Sequence, residues 1–189
     1  LGQWVLETAC TQLAIWAAQP AMAHLTVAVN VSARQFRQAN FVDQVLAVLD
    51  STGANPERLK IELTESMLVE NVKDIIAKMA ALKATGVGFS LDDFGTGYSS
   101  LAYLARWPIN QIKIDWSFVG NIPGKENDET IARTIITMGR ELGIDVIAEG
   151  VETEAQRAFL ESHGCHAFQG YLFSRPLPLK EFEKIVKRD

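Results

Sequence analysis

The sequence predicts an α/β fold, the larger part of a parallel β/α barrel, and three observations predict it. Six short apolar runs alternate with amphipathic helical stretches, the pattern of successive βαβ crossovers. Glycine stands just past four of the helical stretches, at Gly53, Gly86, Gly143 and Gly164, where a left-handed stop is expected. A polar residue stands at or near the C-terminal end of every strand-like run, while the phosphate-binding glycine turns of doubly wound sheets (GxGxxG, GxxxxGK[ST]) are absent. A complete eight-unit barrel runs to about 250 residues; this chain has 189.

The elements follow in order. Residues 4–18 read as a helix with Leu6, Ala9, Leu13 and Trp16 on one face, and no strand precedes it. Residues 25–31 are rich in β-branched types and read as the first strand, followed by a helix over 41–52. The second strand is 59–64, with a helix over 73–85; the third is 87–92, with a short helix over 99–105 before Pro108. The fourth strand is 111–115 and the long helix after it 128–142; between them, 121–128 is the most loop-like stretch, with a Pro-Gly turn. The fifth strand is 145–149 with a helix over 153–162, the sixth 167–172 with a closing helix over 179–187. No linker-like or low-complexity stretch divides the chain, so residues 1–189 read as one domain.

Composition narrows the function. Hydrophobic residues make up 48% and charged residues 22%, a folded and not a disordered balance. No apolar run approaches the roughly 20 residues that span a bilayer. The first ten residues lack a basic region and are interrupted by Glu7, so they do not read as a signal peptide. A net charge of −5 argues against a nucleic-acid polymer as partner. It leaves room for a phosphate ligand, because bound metal can supply positive charge locally. Cys10 and Cys165 form no metal-type pair and read as reduced, packed thiols of a cytoplasmic protein. His24, His163 and His166 lack ligand spacing; Trp4, Trp16 and Trp107 read as core or interface packing.

The strand ends carry the chemistry: Asn30; Glu62 with Glu65 beyond it; Asp92 and Asp93; Lys113 and Asp115; Glu149; Gln169. In a β/α barrel such ends converge on one face, where active sites are built. One carboxylate at a strand end is usually a solvated residue or a helix cap; a full set among Val, Ile, Leu and Ala interiors is hard to ascribe to chance. Crowded carboxylates repel, and hard divalent ions such as Mg2+ or Mn2+ neutralise them with oxygen ligation. Adjacent Asp92 and Asp93 are the candidates to span two ions, about 4 Å apart in two-metal phosphodiester chemistry. Lys113 could orient the attacking water or neutralise phosphate charge. Residues 92–97, Asp-Asp-Phe-Gly-Thr-Gly, read equally as a turn and as a loop that gates the site. Glu65 is a surface charge or that loop's anchor.

Six motifs resemble, in order, those of EAL domains, the bacterial cyclic di-GMP phosphodiesterases. They are Asn30-Val31-Ser32-Ala33-Arg34-Gln35, Glu62-Leu63-Thr64-Glu65-Ser66, Asp92 through Ser100 (DDFGTGYSS), Lys113-Ile114-Asp115, Ala148-Glu149-Gly150-Val151-Glu152 and Gln169-Gly170-Tyr171-Leu172-Phe173. The resemblance runs through nearly the whole chain. It implies a TIM-like (β/α) barrel of EAL type, here its C-terminal six β/α units, with the first two strands and the Glu-x-Leu motif lying upstream of the first helix.

It also implies roles. Asn30, Glu62 and Asp92 would hold one ion, and Asp92, Asp93 and Glu149 the other. Lys113 would contact the attacking water. Gln169 and Asp115 would lie near the substrate, and Glu65 would hold the loop from Asp93 to Ser100. The implied reaction is hydrolysis of cyclic di-GMP to the linear dinucleotide pGpG. The rival readings are a cyclic di-GMP receptor that does not cleave its ligand and a fragment inactive on its own. Implied partners are a second copy, through the loop after Asp93, and sensor or cyclase-type modules upstream; a membrane tether would lie there too. Trp116 departs from the family, in which Arg is common after Lys-Ile-Asp.

Overall fold

The computed structural model describes residues 1–68, 71–97, 104 and 106–187. Its six strands are β1 (Val27–Asn30), β2 (Leu59–Thr64), β3 (Gly88–Phe94), β4 (Gln111–Ile114), β5 (Asp145–Ala148) and β6 (Ala167–Phe168). Their order in the sheet is their order in the chain, and the pairs β1–β2, β3–β4, β4–β5 and β5–β6 are parallel. Sequential parallel strands joined by helices are what the alternating pattern predicts. The chain divides into two compact units, one of Leu1–Leu63, Glu70–Phe89 and Leu177–Asp189, the other of Thr64–Val69 and Ser90–Pro176.

In the first unit, α1 (Gly2–Ala17) buries Leu6, Leu13 and Trp16 of the stripe read from the sequence, with Cys10 in place of the half-buried Ala9, and packs on α3 (Phe41–Thr52) and β1. The short α2 (Ala33–Phe36) starts at Ser32, whose hydroxyl accepts the Gln35 N–H at 3.3 Å. Phe36 and Phe41 are fully buried with ring centroids 5.0 Å apart, each side chain contributing about 1.5–3 kcal/mol by leaving water. Gly53 ends α3 in the left-handed region at φ 68. The helix α4 (Val72–Lys83) carries a buried lysine, Lys78, whose ammonium donates to the Phe36 carbonyl at 3.1 Å and pairs with Asp74 at 2.9 Å. The closing helix α8 (Leu179–Val186) lies against Trp16 through Phe182 and Glu183. Burial pushes the Cys10 thiol up to about 11, in keeping with an unreactive packed residue.

In the second unit, α5 (Trp116–Val119) starts at Asp115, whose carboxylate accepts the Ser117 N–H at 3.0 Å. Then α6 (Glu126–Leu142) opens on Glu126, Asp128 and Glu129, charges that suit a helix N-terminus, and packs on β4 and β5. The helix α7 (Glu154–Ser162) has a capping box between Thr153 and Gln156. Gly139 lets α6 approach β5: a Cβ there would meet Val146 Cγ2 at 2.3 Å and the Ile144 carbonyl at 2.9 Å. Gly139→Ala should therefore lower stability by about 1–3 kcal/mol, against the roughly 1 kcal/mol that alanine gains in a helix. Thermal denaturation checks this, and an unchanged midpoint would mean the helix can retreat from the strand.

The differences from the sequence reading have physical causes. The sixth strand ends at Phe168, not Leu172, because Gly170 packs directly on the Val151 backbone and the N–H groups of Phe173 and Ser174 turn back to the Gly170 carbonyl. The third strand runs on to Phe94. Short elements with their own caps, α2, α5 and the 3-10 turns Pro56–Arg58 and Glu65–Leu68, carry too few residues to show a period. Trp4 is 62% exposed and not packed. The helix expected over 99–105 falls almost wholly outside the described residues. Cys10 and Cys165 are buried free thiols, His24 and His166 are exposed, and His163 bonds the Phe159 carbonyl at 2.7 Å. Among the described residues no helix is long and apolar enough to cross a membrane.

Candidate metal centre and active site

The site in the second unit is built on an irregularity of β3. Consecutive residues of a regular strand point to opposite faces, so Asp92 and Asp93 should not serve one site. Leu91 pairs with Ile112 and Phe94 with Ile114, leaving Asp92 and Asp93 together opposite Lys113. This is a β-bulge, two residues against one, which re-aims a side chain. Asp93 completes it with a left-handed φ of 54, a conformation Asp tolerates better than most residues. One carboxylate oxygen each from Asp92, Asp93 and Glu149 consequently lies within 4.8 Å of the others. Glu149 follows β5, and its N–H donates to the Ile114 carbonyl at 3.2 Å, which carries the pairing with β4 one residue further.

Lys113 projects from the middle of β4 between two of these groups. Its ammonium is 3.0 Å from Asp92 Oδ1 and 2.7 Å from Glu149 Oε1, and the residue is only 5% exposed. Asp115 is buried, accepts both the N–H and the hydroxyl of Ser117, and lies near enough to Asp93 for its charge to act there. Partial burial raises the Asp93 pKa above its ordinary value; the charges of Asp92 and Asp115 and the hydrogen bond to Asp115 add to this, and Lys113 opposes it. Among the described residues, the carboxylates of Asp92, Asp93 and Glu149 thus gather about the Lys113 ammonium, with Asp115 near Asp93. The donor set is all oxygen, closely spaced and short of positive charge, so the residues present fit a hard divalent cation.

Glu65 is 3% exposed, and its Oε2 accepts the Gly95 N–H at 3.1 Å and the Gly97 N–H at 3.3 Å. The carboxylate lies so close under the loop that a Cβ on Gly97 would come within 2.8 Å of Glu65 Oε1. The segment it grips directly follows β3, with Phe94 between Asp93 and Gly95. Residues 98–100 of that loop lie outside the described residues. Glu65→Gln keeps one acceptor but loses the charge; it should cost about 1–3 kcal/mol of stability in urea unfolding, and an unchanged midpoint would remove the anchor role.

Asn30 and Glu62 belong to the first unit, where they are register partners at the C-terminal ends of β1 and β2, Asn30 exposed and Glu62 buried. Gln169 follows β6, its N–H donating to the Ala148 carbonyl at 2.8 Å and its carbonyl accepting the Val151 N–H at 3.0 Å, with the side chain exposed. Two contributors were missed in the sequence. Ser117 holds Asp115, and the signal for it is the Asp-x-Ser spacing of a helix cap. Gly150, at φ 69, lies under Trp116, and only its place beside Glu149 hinted at that.

Comparison with known proteins agrees with this architecture. The cyclic di-GMP phosphodiesterase NbdA of Pseudomonas aeruginosa is 44% identical over 189 residues, which cover 99% of this chain and 24% of NbdA. The bifunctional diguanylate cyclase/cyclic di-GMP phosphodiesterase MucR of the same organism is 42% identical over 181 residues, 96% of this chain and 26% of MucR. The chain thus spans about a quarter of the length of these curated relatives. The solved PaMucR phosphodiesterase in complex with c-di-GMP aligns with a TM-score of 0.92 at 42% identity, over 96% of this chain and 73% of that one. A manganese/cy-diGMP complex of Klebsiella pneumoniae BlrP1 aligns with a TM-score of 0.79 at 30% identity, over 92% of this chain and 45% of that one. Residues 1–176 match the EAL domain, so the chain belongs to the EAL-domain family, and it has that family's TIM-like β/α fold class.

Proposed function

We propose that this domain hydrolyses cyclic di-GMP to the linear dinucleotide pGpG with the help of divalent cations, Mg2+ or Mn2+. The observation that carries the reading is the bulge that turns Asp92 and Asp93 toward Glu149, with Lys113 between Asp92 and Glu149. A module that only bound the ligand would have no use for a bulge that gathers three carboxylates. The phosphodiesterase names of MucR and NbdA, and the c-di-GMP held by PaMucR, support the choice of substrate.

Asp92, Asp93 and Glu149 would hold cation, and the resemblance adds Asn30 and Glu62 as ligands, on which ground the reading keeps them. The cations, when bound, supply Lewis acidity to phosphate and water oxygens. Lys113 keeps a hydrogen-bond donor fixed beside two carboxylates, where it orients the attacking water and offsets charge growing on the phosphate. Glu149 accepts from Lys113 and presents its other oxygen to the water's proton. Water adds to phosphorus, the P–O3′ bond breaks, and the leaving 3′ oxygen ends as a hydroxyl. Asp115 caps α5 beside the site, Glu65 holds the loop, and Gln169 lies near the substrate. A second copy through the loop after Asp93, and sensor or cyclase-type modules on a longer chain, complete the reading.

The experiment is product analysis in 18O-enriched water. The reading expects pGpG with one labelled oxygen in its terminal phosphate. Unlabelled product, or cyclic di-GMP recovered intact, would overturn it.

A further inference from the structure

Trp116 is 66% exposed, at the N-terminus of α5 and one residue past buried Asp115. A single exposed tryptophan is unremarkable. This one is rooted at the active site. Asp115 fixes the start of α5 by accepting the Ser117 N–H, and it follows β4, the strand that carries Lys113 between Asp92 and Glu149. Beneath it lies Gly150, the residue after Glu149. A Cβ on Gly150 would meet Trp116 Cβ at 2.8 Å and Trp116 Cα at 3.4 Å, so the absence of a side chain at 150 is what lets Trp116 settle beside Glu149.

Trp116, Glu149, Gly150, Gln169, Gly170 and Tyr171 line one cleft of 460 Å3. That volume is in the range of small-ligand sites, roughly 300–1,000 Å3. The two aromatic side chains are both more than half exposed, and the Arg175 guanidinium lies 4.5 Å from the centroid of the Tyr171 ring. Gln169 contributes an exposed amide, with a donor and an acceptor, on a backbone held by two hydrogen bonds. A π-face beside an amide and a carboxylate suits a planar, polar-edged group: a base that stacks on one side and is hydrogen-bonded at its edge. The carboxylates of Glu149 and Glu152 in the lining and the small volume disfavour an apolar protein segment.

We infer that Trp116 is a substrate-positioning residue whose indole stacks on one guanine base of the dinucleotide in the cleft that opens beside Glu149. The inference rests on the hydrolase reading and adds to it a side chain that departs from the arginine common at this position. A stack holds the base equally in the ground state and the transition state, so its loss belongs in KM and not in kcat.

The test is steady-state hydrolysis of cyclic di-GMP by the full-length protein, wild type against Trp116→Ala and Trp116→Tyr. Trp116→Ala should raise KM about tenfold, as loss of one base–aromatic stack does, with kcat held within about threefold. Trp116→Tyr should recover most of the lost affinity, and all three proteins should melt together because the side chain is exposed. An unchanged KM in Trp116→Ala, with wild type active, would overturn the inference alone, as would a matched fall of kcat in both variants. A wild-type protein that neither binds nor cleaves cyclic di-GMP would overturn the hydrolase reading and the inference together.

Discussion

Asp92→Asn should lower the turnover of cyclic di-GMP by at least about a hundredfold. The substitution keeps the shape and one hydrogen-bond acceptor and removes one charge. That charge serves two partners: Lys113, at 3.0 Å, and the cation that Asp92, Asp93 and Glu149 are spaced to receive. Removing it lets Lys113 turn toward Glu149, at 2.7 Å, and away from the water and phosphate it orients in the proposed mechanism. Binding of the dinucleotide should change much less, because its bases are held elsewhere. Turnover and equilibrium binding measured on one preparation separate the two effects; a variant with near-wild-type turnover would remove Asp92 from the mechanism.

Lys113→Met should destabilise the metal-free protein by about 3–5 kcal/mol, the cost of deleting one partner from a buried ionic cluster. Against a typical total of about 5–15 kcal/mol, that is a large loss. The variant leaves Asp92, Asp93, Glu149 and Asp115 together with no ammonium among them. A divalent cation restores the missing positive charge, so Mn2+ or Mg2+ should raise the melting temperature of Lys113→Met more than that of wild type. Equal shifts in the two proteins would mean that the cation binds away from Lys113. Turnover should stay low even in saturating metal, because the hydrogen-bond donor is gone.

The element pattern was legible where a helix is long enough to carry an apolar stripe and a polar residue lies at or near a strand's end. Leu6, Leu13 and Trp16 recur at helical spacing, and helix 41–52 and strand 59–64 have the boundaries expected. Where one residue type serves two purposes, the sequence misled. Tyr171 and Leu172 look like a strand continuing, yet Tyr171 is 53% exposed and the chain has already turned at Gly170. The site residues could be named from the strand ends, but not how two adjacent aspartates reach one place. That depends on a positive φ at Asp93 and on the register slip against β4, and neither leaves a mark in a hydrophobic pattern. Trp116 stands out in the sequence only as a departure from the arginine common there; that Gly150 lies beneath it does not show.

The most direct test of the metal-dependent reading is hydrolysis of cyclic di-GMP by the full-length protein, in Mg2+ or Mn2+ and then with excess chelator. The account predicts pGpG in the presence of the cation, its loss with chelator, and its return when metal is added back. Hydrolysis that continues unchanged in chelator, or none in any metal while the ligand still binds, would contradict it.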